Sequence, residues 1–181
     1  MFYCQINDRH KLRLLHISDA KELYELININ RTYLRQWMPW LDSTNNAADI
    51  ENFIRSTLNQ FANNEGFAAA ICEKDRIIGI VGLNRIDADN RSGYIGYWLA
   101  APFQGKGIMT SSCQILIDYA FETLKLNRLV ITCATENQRS RAVSLRLGFT
   151  HEGVARGHEW LYDHFVDHDI YSLLVSDKSD R

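Results

Sequence analysis

The sequence predicts an α/β fold built on a mixed, mostly antiparallel sheet that is flanked by helices. Two observations carry this prediction. Three apolar, strand-like segments follow one another over residues 67–99 with short polar turns between them, and such hairpin spacing makes neighbouring strands antiparallel. From residue 110 onward, helical and strand-like segments alternate, which is typical of a βαβ unit. Together they indicate three layers, with the sheet between two layers of helices.

The first third of the chain is predicted to form one strand and three helices. The apolar residues 12–17 form the strand, and Ser18 then opens an amphipathic helix. A second, short helical segment is broken by Pro39, because proline is not accommodated in a helix interior. The third helix is expected over residues 47–63. Its apolar, core-facing side comprises Ile50, Phe53, Ile54, Leu58 and Phe61.

Six further strands complete a predicted seven-stranded sheet. They are expected at residues 67–72, 77–86, 93–99, 129–133, 149–158 and 165–175. Two more helices, over residues 110–122 and 138–147, alternate with the last of these strands. Because no repeat, linker or low-complexity segment interrupts the pattern, residues 1–181 are expected to form a single domain.

The composition excludes several classes of protein. The 181 residues are 46% hydrophobic, enough for a substantial core, and the two prolines and ten glycines argue against a disordered chain. The net charge of −2 carries no signature of nucleic-acid binding. No apolar run approaches the ~20 residues of a membrane span, and residues 1–9 lack the apolar core of a signal peptide. A cytoplasmic protein is therefore expected.

The sequence does not predict a metal site. Its four cysteines are dispersed without a C-x-x-C pair, so they are expected to be buried, reduced thiols. Residues 163–169 are rich in aspartate and histidine, but on a strand His164 and Asp167 face opposite ways and match no strong ligand pattern. We interpret this segment as a polar turn followed by a core strand.

A glycine turn at residues 104–107 is the strongest functional signal. It follows a strand and leads into a helix, where unpaired N–H groups and the positive end of the helix dipole favour an anion. Gly105 and Gly107 lack Cβ atoms, so the backbone can approach a phosphate closely. A dinucleotide site would need an acidic residue at the end of the next strand, and the first carboxylate there, Glu136, comes too late. A P-loop would need its lysine after the second glycine, whereas Lys106 lies between the two.

The third interpretation of the turn is an acyl-CoA site. Gln-x-x-Gly after a strand resembles the pyrophosphate loop of the GCN5-related N-acetyltransferase (GNAT) superfamily, and the resemblance extends over essentially the whole chain. It includes residues 95–99 at the end of the hairpins, Asn137 at the start of a later helix, and Leu-Gly-Phe at the end of that helix. More narrowly, residues 96–99, residues 105–109 and the segment from Asn137 to Gly153 resemble the RimJ/RimL branch, which acetylates N-terminal α-amines of ribosomal proteins. A three-layer GNAT-like fold and acetyl-CoA as the cosubstrate are implied.

The resemblance also implies how CoA is held. The pantetheine arm is implied to pair like an extra strand with Tyr97, Trp98 and Leu99, and a backbone N–H near Leu99 polarises the thioester carbonyl. Asn137 is implied to bind the same arm, and a plain helix N-cap is the alternative for it. Lys106 either adds a charge or is a solvated lysine. The N–H groups implied around the pyrophosphate belong to Gln104, Gly105, Lys106, Gly107, Ile108, Met109 and Thr110.

A serine is expected to protonate the departing thiolate. Many GNAT enzymes use a tyrosine at the position of Ser144, where a serine is too short. Ser140 and Ser144 lie four residues apart on one helix face, and Ser140 lies in the first turn, where the helix dipole tolerates a developing negative charge. The residues alone favour a Ser140 hydroxyl that bonds local backbone. The similarity to RimL-type enzymes reverses that preference and predicts Ser140 as the proton donor, with Ser144 as the alternative.

A carboxylate is expected to deprotonate the amine. An α-amine with a pKa near 7.7–8.0 is about one-tenth neutral at pH 7, so a weak base is enough to deprotonate it. We predict Glu159 as that base; it lies just after the sixth strand and matches a glutamate of the RimL-type branch. His158 is the alternative, because the ordinary pKa of histidine suits a general base.

The implied acceptor is a protein N-terminus such as that of a ribosomal protein. A homodimer, as in related enzymes, is compatible with the sequence. Five residues between the first helices are expected to help wall the acceptor site: Arg31, Tyr33, Arg35, Trp37 and Trp40. Two alternatives stay open. One is acetylation of a small amine such as a polyamine or an aminoglycoside, for which an acidic cleft is predicted; the other is a CoA-binding module without turnover.

Overall fold

A computed structural model describes residues 3–179. Met1 and Phe2, which begin the segment expected to lack a signal peptide, lie outside the described residues, as do Asp180 and Arg181. The strands are β1 (Tyr3–Gln5), β2 (His10–Leu14), β3 (Phe67–Glu73), β4 (Arg76–Asp87), β5 (Ser92–Leu99), β6 (Arg128–Ala134), β7 (Thr150–Leu161) and β8 (His164–Leu174). The helices are α1 (Ala20–Ile29), α2 (Arg31–Leu34), α3 (Ala47–Ala62), α4 (Ile108–Glu122), α5 (Gln138–Arg146) and α6 (Val175–Ser179).

The strands form one mixed sheet in the order β1-β2-β3-β4-β5-β6-β8-β7. Neighbouring strands are antiparallel except for β5 and β6, which run parallel. The predicted mixed, mostly antiparallel sheet is therefore confirmed. Its predicted strand number of seven is wrong, because the sheet has eight strands and the sequence gives no sign of β1. This edge strand pairs only Tyr3–Gln5 with residues 11–13, and a segment so short shows no two-residue period.

Helices cover both faces of the sheet, which confirms the three-layer arrangement. On β3, Ala69 and Ile71 enter a core shared with α4 and α5, while Ala68 and Ala70 enter a second core shared with α1 and α3. This alternation follows from the two-residue period of a strand. Because β3 lies inside the sheet and is buried on both faces, its sequence is a continuous apolar run.

Helix α3 lies where the sequence predicts it, but one of its five predicted core residues is exposed. Ile50 and Ile54 are buried, and Leu58 and Phe61 are half-buried at the edges of the cores. The predicted core residue Phe53 is instead 41% exposed. Phe53 lies about 100° around the helix from Ile54, at the edge of the buried face, where its side chain is partly open to solvent.

β7 is longer than predicted and forms one edge of the sheet. It runs to Leu161, so Glu159 lies inside a strand and not just after one, which corrects the prediction. Most side chains of β7 are exposed, and an edge strand without an apolar period gives no clear signal of its end. The register shifts between Ala155 and Glu159, where Gly157 has a φ of +56°. This bulge redirects the end of the strand.

β5 and β6 separate along their length. They pair only over residues 92–94 and 128–130, although β5 continues to Leu99 and β6 to Ala134. Beyond the last pair, each strand keeps the partner on its outer side, which is β4 for β5 and β8 for β6. Their facing edges are not paired with each other there, and a cleft opens between them.

Two features concern the class of protein: the length and polarity of the helices, and the state of the cysteines. Within residues 3–179, no helix is both long and apolar enough to span a membrane. The four cysteines are unpaired; Cys72, Cys113 and Cys133 are buried as predicted, whereas Cys4 is only partly buried. Burial raises the pKa of the three buried thiols and keeps them protonated.

Candidate active site

The cleft between β5 and β6 has a volume of about 1160 Å³. Four parts of the chain line it: the segment from α2 to Trp40, the diverging ends of β5 and β6, the glycine turn with the start of α4, and the first half of α5. A cleft of this volume holds a small-molecule ligand of substantial size.

The glycine turn forms part of this cleft. Gly105 and Gly107 have φ angles of +72° and +77°, in the left-handed region that favours glycine. Apart from the glycine itself and its two chain neighbours, no atom lies within 4 Å of the position that a Cβ would take at either residue, so the turn borders open space. Gly107 is the N-cap of α4, and its carbonyl accepts the first helical hydrogen bond, from Ser111. The N–H groups of the first turn therefore have no helical partner, and together with the helix dipole they favour an anion.

The side chains around the turn differ in what they contribute. Lys106 is exposed and does not line the cleft; its ammonium group lies 5.5 Å from the ring centre of Phe103. The Thr110 hydroxyl accepts a hydrogen bond of 2.9 Å from the guanidinium of Arg146 on α5. A cation therefore lies beside the anion-binding turn. Sequence reasoning missed Arg146, because no local motif connects α5 to the turn.

Gln104 connects three elements at the entrance to the turn. Its side-chain N–H group donates to the Leu99 carbonyl at the end of β5 (3.0 Å) and to the Tyr33 hydroxyl on α2. Its side-chain oxygen accepts a hydrogen bond from Arg139 on α5. Its backbone N–H, which the resemblance implies for the pyrophosphate, instead donates to the Ala101 carbonyl. Gln104 therefore braces the site through its side chain, a role that the motif alone did not indicate.

Tyr97, Trp98 and Leu99 lie where β5 has left β6, and all three line the cleft. Tyr97 and Leu99 contact the core below α4, and Trp98 contacts the core on the other face. The cleft side of β5 presents backbone N–H and C=O groups, because its pairing partner here is β4 on the other side. An extended ligand can pair with this edge as an added strand.

The start of α5 brings Asn137 and Ser140 to the cleft beside Tyr97. Asn137 caps the helix, because its Oδ1 accepts a hydrogen bond of 3.2 Å from the Ser140 N–H. The Ser140 and Tyr97 hydroxyls lie 2.9 Å apart. Burial raises the pKa of Tyr97, so its hydroxyl stays protonated and can donate. Ser144 is fully buried, donates to the Ser140 carbonyl at 3.4 Å and does not line the cleft.

Glu159 reaches the cleft from β7. Its Oε2 lies 3.4 Å from the Nε2 of His168 on β8, a buried histidine that lines the same cleft. His158, the alternative base, is exposed and does not line the cleft; its ring packs on that of His168, with 4.7 Å between their centres. Of the two predicted bases, only Glu159 lines the cleft. Sequence reasoning missed His168 because β7 and β8 bring it to Glu159 only through the bulged register.

An aromatic wall borders the cleft at the segment from α2 to Trp40. Tyr33, Trp37 and Trp40 line the cleft, whereas Arg31 and Arg35 do not. Arg31 donates to two backbone carbonyls of the following segment at 2.6 Å each. Arg35 pairs with a carboxylate of the same segment at 2.7 Å and lies over an aromatic ring from the β7–β8 turn. The arginines therefore hold the segment in place, and the aromatic residues face the cleft.

The charges of the cleft are few. Among its lining residues in the described chain, Glu159 is the only carboxylate, and Arg139 and Arg146 are the permanent cations. The cleft therefore lacks the acidic lining expected for a polycationic acceptor. Within residues 3–179, no three histidine, cysteine, aspartate or glutamate side chains are grouped so as to hold a metal ion.

Comparisons with known proteins agree with this geometry. The family model of the acetyltransferase (GNAT) domain matches residues 9–150. The chain is 41% identical over 177 residues to the candidate ribosomal N-acetyltransferase YdaF of Bacillus subtilis (strain 168), with 96% of each chain covered. It is similar to the structure of the microcin C7 self-immunity acetyltransferase MccE in complex with acetyl-CoA and AMP, with a TM-score of 0.90, 38% identity and 94% of each chain covered. It is also similar to RimL, a ribosomal L7/L12 α-N-protein acetyltransferase in complex with coenzyme A, with a TM-score of 0.91, 27% identity, and 96% of this chain and 98% of that chain covered.

Proposed function

The chain belongs to the GNAT family and is an N-acetyltransferase, and we propose that it transfers the acetyl group of acetyl-CoA to the α-amine of a protein N-terminus. The observation that carries this proposal is the cleft, which joins an anion-binding turn and an open strand edge to Glu159 and an aromatic wall. RimL, which is similar over nearly the whole chain, acts on the α-amine of a ribosomal protein and binds coenzyme A. A ribosomal-type acceptor would place the reaction in the cytoplasm.

In this proposal, the glycine turn and the first turn of α4 hold the CoA pyrophosphate. The N–H groups of residues 105–110 donate to it, and Arg146, hydrogen-bonded to the same turn, adds a positive charge. The pantetheine arm pairs with the open edge of β5 along residues 97–99, and the side chain of Asn137 adds a further hydrogen bond. The thioester carbonyl then lies near the end of β5, where a backbone N–H stabilises the oxyanion.

The amine attacks the thioester carbon directly. Glu159 accepts a proton from the amine, the new N–C bond gives a tetrahedral oxyanion, and collapse of that oxyanion breaks the C–S bond. Ser140, held by the Tyr97 hydroxyl at 2.9 Å, protonates the departing thiolate, and its oxygen regains a proton from solvent as CoA leaves. The burial of Ser144 away from the cleft supports Ser140 as this donor.

A small amine is the second candidate acceptor. MccE was solved with acetyl-CoA and AMP, and the aromatic rings of Tyr33, Trp37 and Trp40 offer surfaces on which a nucleobase can stack. An amine joined to a nucleotide suits this cleft better than a polyamine or an aminoglycoside, because only one carboxylate lines the described cleft. A CoA-binding module without turnover is the third candidate, against which the placement of Ser140 and Glu159 in the cleft argues.

Release of free thiol from acetyl-CoA distinguishes these candidates with three acceptor sets. The first set contains peptides with free N-termini beginning with Ser, Ala or Met. The second contains the same peptides with blocked N-termini and an added lysine, and the third contains amino acids joined to a nucleotide through their carboxyl group. Turnover confined to the first set supports the proposal, and turnover confined to the third supports the second candidate. Binding of acetyl-CoA without turnover in any set would leave the non-catalytic module.

A further inference from the structure

His168 is a buried histidine in the wall of the cleft. It is 7% exposed, and its cross-strand neighbours are Ala134 on β6 and Ala155 on β7. Neither of its ring nitrogens makes a hydrogen bond within the described chain. A buried polar ring that is left in this state destabilises the fold unless it gains a partner or a compensating charge. Because burial disfavours a charged ring, His168 can take up a proton only with a compensating negative charge beside it.

The compensating charge is the carboxylate of Glu159. Its Oε2 lies 3.4 Å from the His168 Nε2, which is too long for a good hydrogen bond to a neutral ring but within ion-pair distance of a protonated one. Protonation of His168 would therefore draw the two groups together.

The other charged groups near His168 are turned away or already paired. Asp167 and Asp169 flank it on β8 and so face the other side of the sheet. Asp167 accepts a hydrogen bond of 2.7 Å from the Gly157 N–H, and Asp169 pairs with Arg141 and His151. From β7, the exposed ring of His158 packs against His168 and Glu159 provides the carboxylate. From β6, the cross-strand neighbour is an alanine.

The proton balance of the proposed reaction indicates a role for His168 and Glu159. An α-ammonium group loses two protons on the way to an amide: one before attack and one from the tetrahedral adduct. One proton ends on the CoA sulfur, and the other must leave the cleft. A carboxylic acid is a much stronger acid than an ammonium group, so a carboxylate alone is a poor store for the amine proton, whereas the more basic imidazole ring is a better one.

We infer that His168 is a positioning residue for Glu159 and stores the proton that Glu159 takes from the acceptor amine. The inference rests on the proposed function, since it needs an amine that is deprotonated in the cleft. In this arrangement the amine proton passes to the Glu159 carboxylate and then to the His168 ring, whose positive charge is balanced by the same carboxylate. His168 returns the proton to solvent after the product leaves.

The test is the pH profile of kcat/KM for the best peptide acceptor, in wild type and in His168→Phe. The phenylalanine keeps a ring beside His158 but cannot be protonated. We expect kcat/KM at pH 7 to fall about 10–100-fold, with the KM for acetyl-CoA within about twofold of wild type. The acidic limb of the profile should move to lower pH, because the variant lacks the basic ring.

The variant His168→Gln distinguishes two roles of His168, which are to position the Glu159 side chain and to store a proton. Glutamine can donate a hydrogen bond to Glu159 but does not titrate, so it should recover part of the rate lost in His168→Phe while its acidic limb stays displaced. His164→Gln is the matched control, because it changes an exposed histidine on the same strand. His158→Gln should leave the limb in place.

The outcomes separate this inference from the proposed function. Wild-type enzyme without turnover on any amine would overturn the proposed function, and this inference with it. Normal wild-type turnover with an unshifted acidic limb in both His168 variants would overturn the inference alone. A limb that moves equally in His158→Gln would assign the stored proton to His158 and also overturn it. NMR adds a readout without turnover: the Nε2 resonance of the His168 ring should shift in Glu159→Gln, and an unchanged resonance would contradict the pairing.

Discussion

The hydroxyl groups of Tyr97 and Ser140 lie 2.9 Å apart and join β5 to the first turn of α5. Burial raises the pKa of Tyr97, so the phenol keeps its proton. When the tyrosine donates to the Ser140 oxygen, the serine proton is left for a ligand in the cleft. Negative charge that develops on the serine oxygen is stabilised by the same hydrogen bond. A serine supported in this way suits the role of proton donor that we propose for it.

The first prediction concerns these two hydroxyls. Ser140→Ala should lower kcat by about 100-fold, since it removes the proton donor, while acetyl-CoA affinity in calorimetry stays within about twofold. Tyr97→Phe should lower kcat by about 10-fold, and the double variant should lose little more than Ser140→Ala alone, because residues that act as a unit are not additive. Ser56→Ala, on the exposed side of α3, is the matched control and should keep its rate, and Ser144→Ala should lose less than Ser140→Ala. Independent, additive losses would contradict the pairing.

The second prediction concerns the glycine turn. Gly107→Ala places a Cβ in open space at a φ of +77°, so about 1–2 kcal/mol of backbone strain is expected. The added methyl group would also stand where the proposal places the CoA pyrophosphate. We expect a Kd for acetyl-CoA at least about 10-fold higher, measured by calorimetry. Gly153→Ala also substitutes a positive-φ glycine with open space around it, and it should lower thermal stability without weakening CoA binding. Normal CoA binding by Gly107→Ala would place the pyrophosphate elsewhere.

The sequence predicts those features of the fold and site that local chemistry determines. The turn at Gly105 and Gly107 is one, because a positive φ and a helix N-terminus are specified within a few residues. The end of β7 cannot be predicted from local chemistry, because an exposed edge strand has no apolar period that would show that Glu159 lies inside it.

The remaining contacts of the site depend on tertiary geometry. Tyr97 and Ser140 are 43 residues apart in the sequence. Their hydroxyls meet only because β5 and β6 separate beyond Tyr94, where the pairing between the two strands ends. Likewise, Arg146 reaches the turn at Thr110 across two helices. No period or motif in one segment reports such a meeting, so the family resemblance points to Ser140 but not to the hydroxyl beside it.

The third prediction concerns Arg146. Its guanidinium holds the Thr110 hydroxyl at 2.9 Å beside the anion-binding turn. Arg146→Gln should raise the Kd for CoA about 5–10-fold at low salt, and the difference from wild type should shrink at high salt, because screening weakens charge–charge attraction. Arg55→Gln removes a surface arginine that pairs with Glu51 on α3 and should leave CoA binding unchanged. An equal loss at all salt concentrations would indicate that Arg146 shapes the turn and does not act through its charge.

The fourth prediction concerns stability against acid. Glu152 on β7 accepts hydrogen bonds from Arg128 on β6 and from Ser172 on β8, both at 2.7 Å, so one carboxylate ties three strands together. These hydrogen bonds lower the pKa of Glu152 to about 2. Its folded pKa lies below the value near 4.3 expected in the unfolded chain, so its contribution is complete above about pH 5 and is lost as the pH falls toward 2.

Glu152→Gln removes that contribution. The side chain is 37% exposed, and exposed pairs seldom exceed about 1 kcal/mol, so the loss at pH 7 should correspond to about 2–4 °C in Tm. The difference between wild type and variant, measured by urea unfolding, should narrow steadily from pH 5 to pH 2, because wild type then protonates the same group. Glu51→Gln on α3 removes an exposed carboxylate from a single ion pair and should cost less. A difference between wild type and Glu152→Gln that stayed constant down to pH 2 would mean that packing, and not the charge of Glu152, links the three strands.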